Sequence, residues 1–156
     1  MKKIVIEQLG NLLLVGLFGA SLAQSLLISQ PLSDDYLFIL NFGWLTPLFL
    51  GWGILFSIIR GMMGIKLKKI GYSPRKGEFS AQDEREELLS AKATRISYYS
   101  FIIMIIGSMA VYYVWRTLPI ELPAIQLILP IILLTLTGLV AIASYLVTWL
   151  VADLRN

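Results

Sequence analysis

Four long apolar stretches, separated by shorter polar ones, constrain this chain more than any other feature of its 156 residues. A helix needs about 20 predominantly apolar residues to cross the hydrocarbon core of a bilayer. Four stretches reach that length, at residues 8–29, 37–59, 96–115 and 124–151. We therefore predict an all-α integral membrane protein, a four-helix bundle forming one transmembrane domain over residues 1–156.

The composition also indicates a membrane protein. Hydrophobic residues make up 57% of the chain and the mean hydropathy is +0.76, whereas soluble domains are about 45–50% apolar. The net charge is only +3, and in a membrane protein the placement of basic residues reports orientation. We therefore expect membrane lipid as a partner and no nucleic acid.

Two residue types that carry much enzyme chemistry are missing, because the chain has no cysteine and no histidine. Their absence excludes thiol nucleophiles, the usual zinc ligand sets and Ser-His-Asp chemistry. We also find no glycine-rich phosphate loop and no nucleophile elbow. The sequence predicts a protein that is not an enzyme, with no catalytic residue, no metal site and no cofactor.

The longest polar segment, residues 60–95, sets the predicted orientation. It holds nine of the thirteen Lys and Arg residues, and Arg116 is the one basic residue on the opposite side of the four predicted spans. Loops rich in Lys and Arg stay in the cytoplasm. We predict that this segment and both termini are cytoplasmic, in a multi-pass protein of the bacterial inner membrane.

Within that segment, Ser80 and Asp83 have the spacing of a capping box at the start of a helix. Acidic residues follow first and basic residues later, the order that the helix dipole favours. Neither glycine nor proline occurs between Glu78 and Ile106. We expect one long helix that runs from the cytosol into the third span.

Several single residues carry expectations about packing. Pro47 predicts a kink near Gly43, since proline lacks the backbone N–H that a helix interior uses. Trp149 is expected to anchor the far end of the fourth span at the membrane interface. Glu7 is interpreted as an interfacial residue in a solvated ion pair with the nearby lysines.

The first span contains small residues four apart, Gly16 with Ala20 and Gly19 with Ala23. Such spacing lets two helix backbones approach closely. It fits tight packing within this protein, and it also fits a homodimer seam.

The motif Gln82-Asp83-Glu84-Arg85-Glu86, followed by Ala91-Lys92-Ala93 and a tyrosine-rich span, resembles a group of small uncharacterised four-span bacterial membrane proteins. In that group an Asp-Glu-Arg cluster on a cytosolic helix leads directly into a membrane helix. The resemblance covers about residues 78–106. It implies an architecture and little chemistry.

Taken together, these features predict a non-catalytic accessory or regulatory subunit that docks a partner protein or anionic lipid through residues 60–95, or that assembles as a homo-oligomer. The candidate docking residues are the charged ones of this segment: Lys66, Lys68, Lys69, Arg75, Lys76, Asp83, Glu84, Arg85 and Glu87.

Two alternatives remain open. One is a small oligomeric transporter or channel subunit, with Pro47 and Pro130 as hinges and Asn41 lining a path. The other is a membrane immunity protein against a secreted toxin, which would look the same in sequence.

Overall fold

The computed structural model describes residues 2–31, 38–39, 41–66, 73, 84–118 and 122–154. These residues form four helices: α1 (Lys2–Ile28), α2 (Leu45–Lys66), α3 (Glu84–Thr117) and α4 (Pro123–Leu154). Two short strands, β1 (Gln30–Pro31) and β2 (Phe38–Ile39), pair antiparallel between α1 and α2. All four helices are long and apolar enough to span a membrane, so the predicted all-helical architecture is confirmed.

The helix α2 begins at Leu45, later than the predicted start at residue 37. Gln24 of α1 explains where it starts, because its side-chain oxygen accepts the backbone N–H of Leu45 at 3.0 Å. This contact satisfies one of the free N–H groups that every helix start exposes. The apolar residues before Leu45 include β2, which pairs with β1 instead of extending the helix.

The predicted kink at Pro47 is wrong, because α2 begins only at Leu45. Pro47 lies in the first turn of α2, where a backbone N–H has no acceptor within the helix. Proline therefore removes no hydrogen bond there. Pro130, by contrast, lies inside α4, and the helix continues on both sides of it.

The helix α3 runs unbroken over 34 residues, as the lack of glycine and proline at its start predicted. At 1.5 Å per residue it is about 50 Å long, well beyond the ~30 Å of a hydrocarbon core. Its first turn carries Glu84, Glu86 and Glu87. The predicted capping pair, Ser80 and Asp83, lies outside the described residues.

The helices pack in the order α2, α1, α4, α3. In the described part of the chain, α2 has backbone contacts with α1 alone and α3 with α4 alone. The bundle is therefore an open row with α1 and α4 inside. Most large apolar side chains of the four helices face outward, as they do where lipid is the solvent.

The contact between α1 and α4 depends on glycine. A Cβ at Gly19 would come within 2.8 Å of the Cβ of Thr135, and a Cβ at Gly138 would lie 3.2 Å from Val15. The small residues of α1 thus serve packing inside this chain. On the other side of α4, Ser97 of α3 donates to the Ala141 carbonyl at 2.7 Å.

We predict that Gly19→Ala destabilises the protein by about 1–3 kcal/mol, because overpacking moves α1 away from Thr135. Gly51→Ala is the matched control, since no atom lies within 4 Å of a Cβ there. Alanine should then be neutral or slightly stabilising in that helix. Thermal unfolding of both variants in detergent measures the difference, and equal unfolding temperatures would refute the tight α1–α4 contact.

Candidate functional site

Charged side chains join the helices where α1 and α3 begin and where α2 and α4 end, a region we call the charged end. The amine of Lys3 lies 2.6 Å from a carboxylate oxygen of Glu86, which joins α1 to α3. Two further ion pairs follow, Arg60 with Glu7 at 3.0 Å between α2 and α1, and Arg85 with Asp153 at 3.1 Å between α3 and α4. All four helices are thereby linked at one end.

Of the three ion pairs, the one between Glu7 and Arg60 has the most buried carboxylate. The side chain of Glu7 is 0% exposed, and that of Arg60 is 34% exposed. The Arg60 guanidinium also lies 5.8 Å from the centre of the Phe56 ring, within the range of cation–π attraction. The prediction of a solvated interfacial pair for Glu7 is wrong, because the carboxylate lies between two helices.

The buried apolar core is at this same end of the molecule. It comprises residues from α1, α3 and α4: Ile4, Leu89, Ala93, Tyr145, Trp149 and Ala152. Several of them are neighbours in sequence of the ion-paired residues, so the apolar and ionic contacts form one layer. This layer fixes the start of α3 against α1 and α4.

Trp149 belongs to this core and is 1% exposed, so the prediction that it anchors the chain at a membrane interface is wrong. Its ring fills the space between α4 and the starts of α1 and α3. The buried indole N–H has no hydrogen-bond partner among the described residues. The free energy gained by burying the large ring exceeds the cost of leaving its N–H without a hydrogen bond.

The structure sorts the predicted docking residues into two groups. Glu84 and Glu87 are exposed and form no ion pair with a described residue, and the same holds for Lys66 at the end of α2. Arg85 is instead held by Asp153, through the carboxylate at 3.1 Å and the backbone carbonyl at 3.2 Å. The remaining candidates lie outside the described residues: Lys68, Lys69, Arg75, Lys76 and Asp83.

Sequence reasoning paired Glu7 with the nearby lysines and missed the partners that hold the charged end together: Arg60 for Glu7, Glu86 for Lys3 and Asp153 for Arg85. Their one signal in sequence is position, since each is a charged residue near the end of a span that is otherwise apolar. Such a residue at a helix end is compatible with solvation as well as with pairing. The partners become visible only when the helices are placed side by side.

The chemistry available at this end is electrostatic. Among the residues that the structure describes, no group of three or more His, Cys, Asp or Glu side chains is placed to hold a metal ion. The carboxylates that are described occur either in ion pairs or alone on the outer face of α3. This arrangement suits the binding of charged surfaces or headgroups.

The four helices, each long and apolar enough to span a membrane, suggest a multi-pass helical membrane protein. Comparisons with protein-family models, curated proteins and solved structures find no match to this chain. The resemblance to small four-span bacterial proteins therefore stays a prediction.

We predict that Arg60→Gln destabilises the protein by about 3 kcal/mol, because it removes the guanidinium from a fully buried carboxylate. The variant Glu7→Gln in the Arg60→Gln background should restore much of that loss, since the buried charge is then absent too. Lys66→Gln is the control on the same helix, where the side chain is exposed. Unfolding temperatures in detergent of the unaltered chain, Arg60→Gln, Glu7→Gln, the double variant and the control form the test, and simple additivity of the two changes would contradict the coupling.

Proposed function

We propose that this chain is a non-catalytic accessory or regulatory subunit of the bacterial inner membrane, which docks a partner protein through residues 60–95. In this proposal both termini and that segment are cytoplasmic, in line with the positive-inside pattern of Lys and Arg. The described residues that carry the docking are Lys66, Glu84 and Glu87.

The division of charges at the start of α3 supports this role. Arg85 forms an ion pair with α4 and Glu86 forms one with α1. Glu84 and Glu87, on either side of them in sequence, are exposed. Two neighbouring acids on one exposed face form a negatively charged surface. Such a surface increases the rate and specificity with which a basic partner binds.

The rigidity of this part of α3 supports it further. Two ion pairs and the buried side chains of Leu89 and Ala93 hold the first turns against α1 and α4. A surface that is already ordered loses less conformational entropy on binding. The single observation that carries the proposal is therefore an exposed acidic face on a helix start that is anchored from its other side.

A second candidate function is a small oligomeric transporter or channel subunit, and the burial of Glu7 favours it. An ionisable residue enclosed within a membrane helix is often part of an ion or proton pathway. Asn41 gives no such support, because it lies before α2. Its side chain donates to the Ile28 carbonyl at 3.3 Å and its backbone N–H donates to Ser29 at 2.9 Å.

The docking proposal is tested by placing a photo-crosslinking amino acid at position 84 or 87 of the full chain in bacterial cells. We expect both positions to capture the same protein, and a probe at Arg116, on the other end of α3, not to capture it. Glu84→Lys combined with Glu87→Lys should weaken binding of that protein about tenfold, given up to ~1 kcal/mol per exposed ion pair.

Two results would argue against docking on this face. One is capture of the same proteins at position 116 as at positions 84 and 87. The other is binding of the captured protein that is unchanged by the double charge reversal.

The transporter candidate is tested by cation and proton flux in proteoliposomes containing the full chain. If Glu7 is part of a pathway, Glu7→Gln abolishes the flux, whereas Asp153→Asn, in the partly exposed pair with Arg85, leaves it intact. Liposomes that stay impermeable with the unaltered chain, or flux insensitive to Glu7→Gln, would exclude this role for Glu7.

A further inference from the structure

A groove of about 280 Å³ lies between α3 and α4, close to the charged end. Its lining combines one cation, one hydroxyl group and apolar side chains: Lys92, Ile96, Val147, Thr148, Val151 and Ala152. The order of these residues along the helices is informative. Lys92 and Val151 lie nearer the charged end, and Ile96 and Val147 lie one turn deeper.

Lys92 is exposed and forms no ion pair with a described residue. Two other described cations at this end, Lys3 and Arg85, each form an ion pair with a carboxylate. Arg95 follows three residues later on α3, where a side chain neighbours that of Lys92. Its guanidinium lies 5.8 Å from the centre of the Tyr99 ring. The groove is thus lined by one described cation, Lys92, which has no described acid as a partner, while Arg95 lies next to Lys92 on α3 and outside the lining.

Thr148 is the hydroxyl residue of the groove, and it differs from the other hydroxyl residues of α4. The other serine and threonine residues of α4 all donate to carbonyls of their own helix: Thr135 to Ile131, Thr137 to Leu133 and Ser144 to Ala141. Thr148 makes no hydrogen bond in the described structure although it is half-buried. A half-buried hydroxyl without a partner is available to a ligand in the groove.

A second groove lacks this combination of side chains. The groove between α1 and α2 is larger, about 680 Å³, and no charged residue of the described chain lines it. Its one hydroxyl, that of Ser57, already donates to the Gly53 carbonyl at 2.8 Å. That groove has the character of a lipid-facing apolar surface.

We propose that the α3–α4 groove binds one anionic phospholipid. Lys92 contacts the phosphate, and the hydroxyl of Thr148, about one turn or 5 Å deeper, donates a hydrogen bond to an ester oxygen of the glycerol. An acyl chain lies against Ile96 and Val147. The sequence of cation, donor and apolar surface matches the order of phosphate, ester and hydrocarbon in a phospholipid.

This inference rests on the proposed role of residues 60–95 in docking, and it adds a ligand at residues separate from Glu84 and Glu87. Anionic lipid is favoured over zwitterionic lipid because each cation near a membrane surface attracts an anionic leaflet. The site therefore links α3 to the leaflet on the side of the charged end.

The test is native mass spectrometry of the full chain in detergent, titrated with phosphatidylglycerol and with phosphatidylcholine. We expect phosphatidylglycerol to bind more tightly, and Lys92→Gln to weaken it about fivefold, the effect of losing one interfacial cation. Arg116→Gln is the control, an exposed cation at the other end of α3 and outside the groove, and should change binding little. Thr148→Val should weaken both lipids by removing the donor to the ester, which they share.

The proposal is overturned if Lys92→Gln and Arg116→Gln have equal effects, or if the two lipids bind equally well. It is also overturned if inorganic phosphate displaces the lipid, because the site would then recognise a free anion. The variant with Glu84→Lys and Glu87→Lys should retain lipid. Loss of lipid binding in Lys92→Gln with crosslinks at 84 and 87 intact, and the converse, tell the two proposals apart.

Discussion

Opposite charges that meet across helices at one end hold this fold in register. Where lipid is the solvent, apolar side chains gain little by leaving it for one another, so helix association depends on close packing and polar contacts. The contact of Glu7 with Arg60 sets α2 against α1, and the contact of Lys3 with Glu86 sets α3 against α1. Most of the described buried core lies beside these pairs, so ionic and apolar contacts stabilise the same end of the bundle.

The open row gives the helices different roles. The inner helices, α1 and α4, use both sides for packing, and their close approach at Gly19 leaves no room for a side chain. The outer helices, α2 and α3, each keep one side free of other helices of the described chain. The exposed acids of α3 and the groove beside Lys92 both lie on such an outer helix, where ligands and partners have access.

Hydropathy located the four helices because a run of about 20 apolar residues has few other uses. It misplaced the start of α2, because residues 37–44 are as apolar as a helix and the capping contact comes from Gln24, far away in sequence. It misjudged Trp149 as well, since an interfacial tryptophan and a buried one look alike in a single sequence. The remaining features depend on contacts between residues far apart in sequence, which hydropathy does not report. Arg60 and Glu7 are 53 residues apart, and the groove at Lys92 exists because α4 packs beside α3.

The neighbour order also sets an order of assembly. As the chain is synthesised from its N-terminus, α2 follows α1 and packs on it at once, whereas α3 emerges before the helix that it packs against. Until α4 has been made, α3 lacks the helix with which its backbone contacts are made, and side-chain contacts such as that of Glu86 with Lys3 link it to α1. The helix α4 therefore inserts between α1 and α3, both of which are made before it.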